Sequence, residues 1–305
     1  MYYPSAYFRR KALTALKGRW QTALLIALIV NLPTLLMQGF SAFTGNDPVS
    51  RLETVIVTGS RDGILTQQLL LDEINALWNS TGFWTVRGLE LLAWLVTPCL
   101  TLGMYWWLIC RLRGQEEPVS AVFSRVRLFF KAIGLQLLII LKVLLWTLPG
   151  LAAVIALTVI PVLRAGTPQA QLEALQSSNA MSIPATILMV VPGVMAALRY
   201  ALSEYVMAER PENKILFCIR RSKYLMKDQK KNLFFLMVSF LLWYLLELLI
   251  ASLLSGVLSL VFQMAAGLAL SVYFSCSVAA FWLRLENADA KDESPNAEPA
   301  PEELN

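Results

Sequence analysis

The chain has 305 residues, 57% of them hydrophobic and only 15% charged, with a mean hydropathy of +0.57. A soluble domain carries about 25% charged residues, so the composition excludes a single water-soluble globule. The net charge is +5 and there is no histidine, which removes histidine-based acid–base catalysis, His-ligated zinc or haem and a simple histidine pH switch.

Several apolar runs reach the roughly 20 residues needed to cross a bilayer. Six membrane segments are predicted, at about 21–40, 89–110, 133–160, 183–207, 232–251 and 256–283. The reading is an all-α, polytopic helical bundle. The first segment follows Arg9, Arg10, Lys11, Lys17 and Arg19. That start looks like a secretory leader, but the apolar run is long and no small-residue cleavage site follows, so a retained helix is expected.

The connection over about 41–88 is the one large outer piece. Within it Leu65, Leu69, Ile74 and Leu77 fall near helical spacing and predict a short helix on the outer face of the membrane. Asn79-Ser80-Thr81 matches a glycosylation acceptor, which has meaning only in a eukaryotic secretory compartment.

The second connection carries Arg111, Arg113, Arg125, Arg127 and Lys131. The fourth carries Arg210, Lys214, Arg220, Arg221, Lys223, Lys227, Lys230 and Lys231. The third has Arg164 and Glu173, and the fifth has no charge. Basic residues thus alternate between sides. By the positive-inside rule both termini are expected in the cytoplasm, in a cytoplasmic (inner) membrane. The same rule accounts for the basic balance, so nucleic acid is not expected as a partner. Residues 1–284 are read as the membrane domain. Residues 285–305 hold seven acidic residues, one lysine and three prolines, and are read as a disordered acidic tail.

The inner basic stretches are also amphipathic. Over 119–131, Val119, Val122, Phe123, Val126, Phe129 and Phe130 share a helical face. Residues 212–231 place Ile215, Ile219 and Met226 on one side, and residues 5–19 place Phe8, Ala12, Ala15 and Leu16 together. Each is expected to lie as a helix in the inner interface. Each also precedes two membrane segments, so a threefold internal repeat is expected.

Charges inside a membrane segment are costly, at roughly 2.5–3.5 kcal/mol each on insertion scales. Lys142, Arg199, Glu204 and Glu247 qualify. At 1.5 Å per residue, Lys142 and Arg199 share a level, with Glu247 and Glu204 roughly 7 Å to either side. Two readings stay open: an inward-opening polar cavity holding an anionic group or small solute, or internal pairing (Lys142 with Glu247, Arg199 with Glu204) that only fixes helix register. Pro149-Gly150 and Pro192-Gly193 are expected to bend their helices. Arg220, Arg221, Lys223, Lys227, Lys230 and Lys231 are expected to contact anionic lipid on the cytoplasmic side.

The cysteines Cys99, Cys110, Cys218 and Cys276 form no C-x-x-C pair and read as small apolar residues. There is no metal-ligand spacing, phosphate-binding glycine loop or nucleophile elbow. Neither enzymatic activity nor a cofactor is expected. The expected role is a membrane scaffold or accessory protein that meets lipids or a partner protein. A transporter of a small solute, lipid or amphiphile is the alternative.

Val191-Pro192-Gly193-Val194, Arg199-Tyr200, Tyr205, Ala208, Pro211, Ile219, Arg221-Ser222-Lys223, Leu225-Met226-Lys227 and Leu233-Phe234 together resemble a bacterial membrane family, domain of unknown function 975. Arg113-Gly114, Ser120, Phe123 and Lys131-Ala132 resemble the piece that precedes them. The likeness covers about 110–245. It implies a multi-helix bacterial membrane protein and no known activity. Glu204 stands where the family pattern is uncharged. The chain is also distantly similar to the membrane domain attached to some glycerophosphodiester phosphodiesterases, with none of their catalytic residues matched.

Overall fold

Runs of Leu, Ile, Val and aromatic residues without a polar stripe bury their backbone hydrogen bonds only as helices. A computed structural model describes residues 4–44, 67–164 and 186–293, with the isolated positions 54, 55, 58 and 184. No strand occurs among the described residues. Six helices are long and apolar enough to cross a membrane. The first span is Trp20–Thr44, the second Thr81–Leu112 and the third Phe129–Val154. The fourth runs over 186–200 and continues as Ser203–Glu209. The fifth is Lys230–Leu253 and the sixth Gly256–Glu293.

The short helix predicted in the first connection forms over Gln67–Asn79, with Leu77 buried. Ser80 then caps the second span, its hydroxyl accepting from the Phe83 N–H at 3.4 Å. The cap starts that span at Thr81, about eight residues before the expected 89. Residues 45–53, 56–57 and 59–66 of the first connection, 165–183 of the third and all of 294–305 lie outside the described residues.

Two of the three inner amphipathic stretches are α-helices. The N-terminal helix Ser5–Leu16 buries Phe8, Ala12 and Leu16. The linking helix Ile215–Leu225 buries Cys218, Ile219, Ser222 and Leu225. The middle stretch differs. Val119–Leu128 is a 3-10 helix packed antiparallel along the second span. Trp107 Nε1 donates to the Glu117 carbonyl at 3.0 Å, and Cys99 Sγ to the Arg125 carbonyl at 3.4 Å. Between them Gly103 admits the Val122 backbone, where a Cβ would lie 1.8 Å from the Val122 oxygen. In a 3-10 helix residues three apart eclipse. Val122 is therefore buried while Phe123 and Val126 stay exposed, and the single apolar face expected from α-helical spacing is split.

The three amphipathic elements each bridge two consecutive spans. The N-terminal helix packs on the sixth span, the 3-10 helix on the second and the linking helix on Ser203–Glu209 of the fourth. Each also touches the span before its main partner: the fifth, first and third respectively. Phe8 meets Phe281 edge-on at 5.2 Å, which seats the N-terminal helix.

The sixth span corrects the tail boundary. The helix continues past 285 to Glu293. Glu286 is only 8% exposed and lies between Arg210 and Arg221. These ion pairs hold the acidic start of the expected tail as ordered helix.

Candidate functional site

The second, fourth and sixth spans meet at a polar junction. Tyr105 of the second stacks on Tyr205 of the fourth, with ring centroids 4.2 Å apart and planes at 17°. The Tyr205 hydroxyl donates to the Ser275 carbonyl of the sixth at 3.1 Å. Glu204 faces the Tyr105 hydroxyl. Beside it, the buried Ser203 Oγ has no hydrogen-bond partner among the described residues.

Just above this junction the fourth span is interrupted. Residues 201–202 form a turn between two helical stretches. No Pro or Gly stands there to explain it. The cause is Ser222, a buried hydroxyl of the linking helix. Its Oγ accepts from the Leu202 N–H at 3.2 Å and donates to the Arg199 carbonyl at 3.1 Å. A side chain inserted into the backbone ladder breaks a helix and satisfies the freed groups at once.

The helices run unbroken through Pro149-Gly150 and Pro192-Gly193. Their glycines mark the crossing of the third and fourth spans. A Cβ on Gly150 would sit 2.2 Å from Met189 Cα, and one on Gly193 would sit 2.8 Å from Thr147 Cγ2. Small residues let helix backbones approach closely. Irregular backbone occurs instead at the π-helical turn Ile155–Val159 and at 201–202. The π turn precedes Pro161, which has no N–H to close an α-helical bond.

The four charges of the apolar segments are not ion-paired with one another among the described residues, neither Lys142 with Glu247 nor Arg199 with Glu204. Arg199 lies over the Trp146 ring at 5.4 Å, linking the fourth span to the third. Its side chain thus points along the helix toward the span's N-terminal end, away from the inner edge. Glu247 faces Gly267 of the sixth span.

The inner basic residues divide into two sets. Arg221 is an internal clamp rather than a lipid contact. It pairs with Glu286 at 3.2 Å and Asp289 at 2.5 Å, and Arg210 reaches Glu286 at 2.7 Å. Burial opposes the Arg221 charge, but Glu286 and Asp289 outweigh it and hold its pKa above the ordinary value. Arg113 pairs with Glu209, joining the ends of the second and fourth spans. Arg19 meets Glu116 at 2.6 Å and Lys131 donates to the Pro211 carbonyl at 2.9 Å. Arg220, Lys223, Lys227 and Lys231 are exposed, and Lys230 is partly so. Sequence spacing did not separate these sets, because the acidic partners lie more than 60 residues away.

Six long apolar helices joined by such a belt of ion pairs define a multi-pass helical membrane protein. The chain belongs to the family described as Protein of unknown function (DUF975), which matches residues 1–289. That match runs well beyond the 110–245 that carry the quoted motifs and includes the clamp acids Glu286 and Asp289. None of the curated proteins and none of the solved structures compared with the chain matches it.

Proposed function

We propose that the protein is a non-enzymatic scaffold or accessory protein of the bacterial cytoplasmic membrane, with both termini inside, seated on anionic lipid through its linking helix. One observation carries this reading. Arg220, Lys223 and Lys227 stand exposed and make no ion pair among the described residues, while their neighbour Arg221 is consumed by the clamp. Cations held at an inner membrane face attract anionic lipid by about 1 kcal/mol each. Each amphipathic element bridges two consecutive spans, which supports a rigid platform built from three related units of one basic element and two spans.

The test is lipid composition around the reconstituted protein. In nanodiscs of mixed phosphatidylglycerol and phosphatidylcholine, wild type is expected to enrich phosphatidylglycerol. Arg220→Gln with Lys223→Gln and Lys227→Gln should lose most of that enrichment without unfolding. Equal enrichment in the variant, or none in wild type, would refute the reading.

The transporter alternative draws on Lys142, which has no ion pair among the described residues despite its place in the third span. Lys142→Met should abolish a transport or resistance phenotype while leaving expression intact. An unchanged phenotype counts against it.

A further inference from the structure

A groove of about 740 Å³ runs between the fourth and fifth spans. Leu198 forms a buried part of its lining, and Val191, Val194, Met195 and Phe235 line it as exposed apolar side chains. Its volume lies within the roughly 300–1,000 Å³ of small-ligand sites. Almost all of the lining is apolar, and the cations are at one end. There Lys230 and Lys231 open the fifth span.

Those lysines are in an awkward place. The first turn of a helix carries partial positive charge and disfavours cations. That turn has no acidic residue, and Gln229 does not cap it. The Gln229 side-chain oxygen instead accepts from the Asn232 amide at 2.6 Å. Neither lysine has an ion pair among the described residues, and Asp228 does not supply one. An anion at this position would relieve both the lysines and the helix terminus. The groove leading away from it offers an acyl chain an apolar bed about two turns long on the fourth span.

We infer that this groove is a specific site for one anionic phospholipid. The phosphate sits on Lys230 and Lys231, and one acyl chain lies against Val191, Val194 and Phe235. This rests on the lipid-seated reading above but uses different residues. Anionic lipid spread over Arg220, Lys223 and Lys227 would exchange freely, whereas the groove holds a single molecule.

Native mass spectrometry of the full chain, released from mixed phosphatidylglycerol and phosphatidylcholine, tests it. Wild type should retain one phosphatidylglycerol in preference to phosphatidylcholine. Lys230→Gln with Lys231→Gln should lower that preference about tenfold, at up to about fivefold per lysine. Val194→Trp should fill the groove and remove the adduct for both lipids. Val194 is 40% exposed, so the variant should fold, and an unchanged thermal midpoint checks that. Retention of the adduct in both variants would overturn the groove. If the Arg220, Lys223 and Lys227 variant alone then loses bulk enrichment, the seating reading survives without it. No phosphatidylglycerol preference in wild type would overturn both. A dimer that disappears in Val194→Trp would also overturn the lipid, since a second copy would then occupy the groove.

Discussion

Ser222 holds two backbone groups that would otherwise be orphaned at the break in the fourth span. Ser222→Ala should cost about 1–2 kcal/mol, read as a lower thermal midpoint in detergent. Gly103 gives a sharper contrast. Gly103→Ala drives a Cβ into the Val122 carbonyl and should destabilise by about 1–3 kcal/mol. Gly88 lies in the same span with nothing within 4 Å of its Cβ direction, so Gly88→Ala should be neutral or stabilising by up to about 1 kcal/mol. Burial pushes the Cys218 thiol up to about 11 from 9.0. The folded state therefore favours the neutral thiol. Its contribution is complete below the unfolded value and is lost as pH rises toward the folded one. Cys218 should resist alkylation at pH 8 in the native protein and react after denaturation. Residues at this scale were only partly legible. Arg199 and Glu204 announced themselves as charges in an apolar run, but Ser222 did not, because a serine acts here through one backbone N–H and one carbonyl, 20 and 23 residues away.

At the scale of elements, a basic residue has a different meaning on each face of its helix. Arg221 and Arg220 are adjacent, yet one clamps the sixth span and the other faces outward. Arg221→Gln should cost about 1–3 kcal/mol, because Glu286 stays largely buried with Arg210 alone. Hydrogen exchange over 284–293 should speed up while the middle of the sixth span stays protected. Acid should loosen another part of the belt. Hydrogen bonding and charge from Arg19 hold the Glu116 carboxyl below its ordinary value, with help from Arg111. The stability it adds is present above the unfolded value and fades as pH falls through the folded one. Arg19→Gln should remove that part of the acid dependence, seen in thermal midpoints across a pH series. The long apolar runs and their approximate ends were readable from length alone. The 3-10 form of Val119–Leu128 was not, because it depends on Gly103 in another helix admitting Val122.

At the scale of the molecule, the N-terminal helix joins the far end of the chain. Cys276 lies 4.0 Å from the Ala12 carbonyl, across 264 positions. Ala12→Trp should therefore force the two ends apart and destabilise by about 1–3 kcal/mol, read as a lower thermal midpoint. An unchanged midpoint in folded protein would contradict the seating of the N-terminal helix on the sixth span. The amphipathic pattern of the basic stretches foretold helical elements at 5–16 and 215–225. It carried no information on which span each one meets, since loop charge sets sidedness and not neighbours.

That closure also sets an order for biogenesis. The N-terminal helix leaves the ribosome before its main partner, the sixth span. Phe8, Ala12 and Leu16 must wait, uncovered by it, until that span is made. A nascent chain arrested before the sixth span would display an uncovered amphipathic helix, a natural target for membrane quality-control proteases.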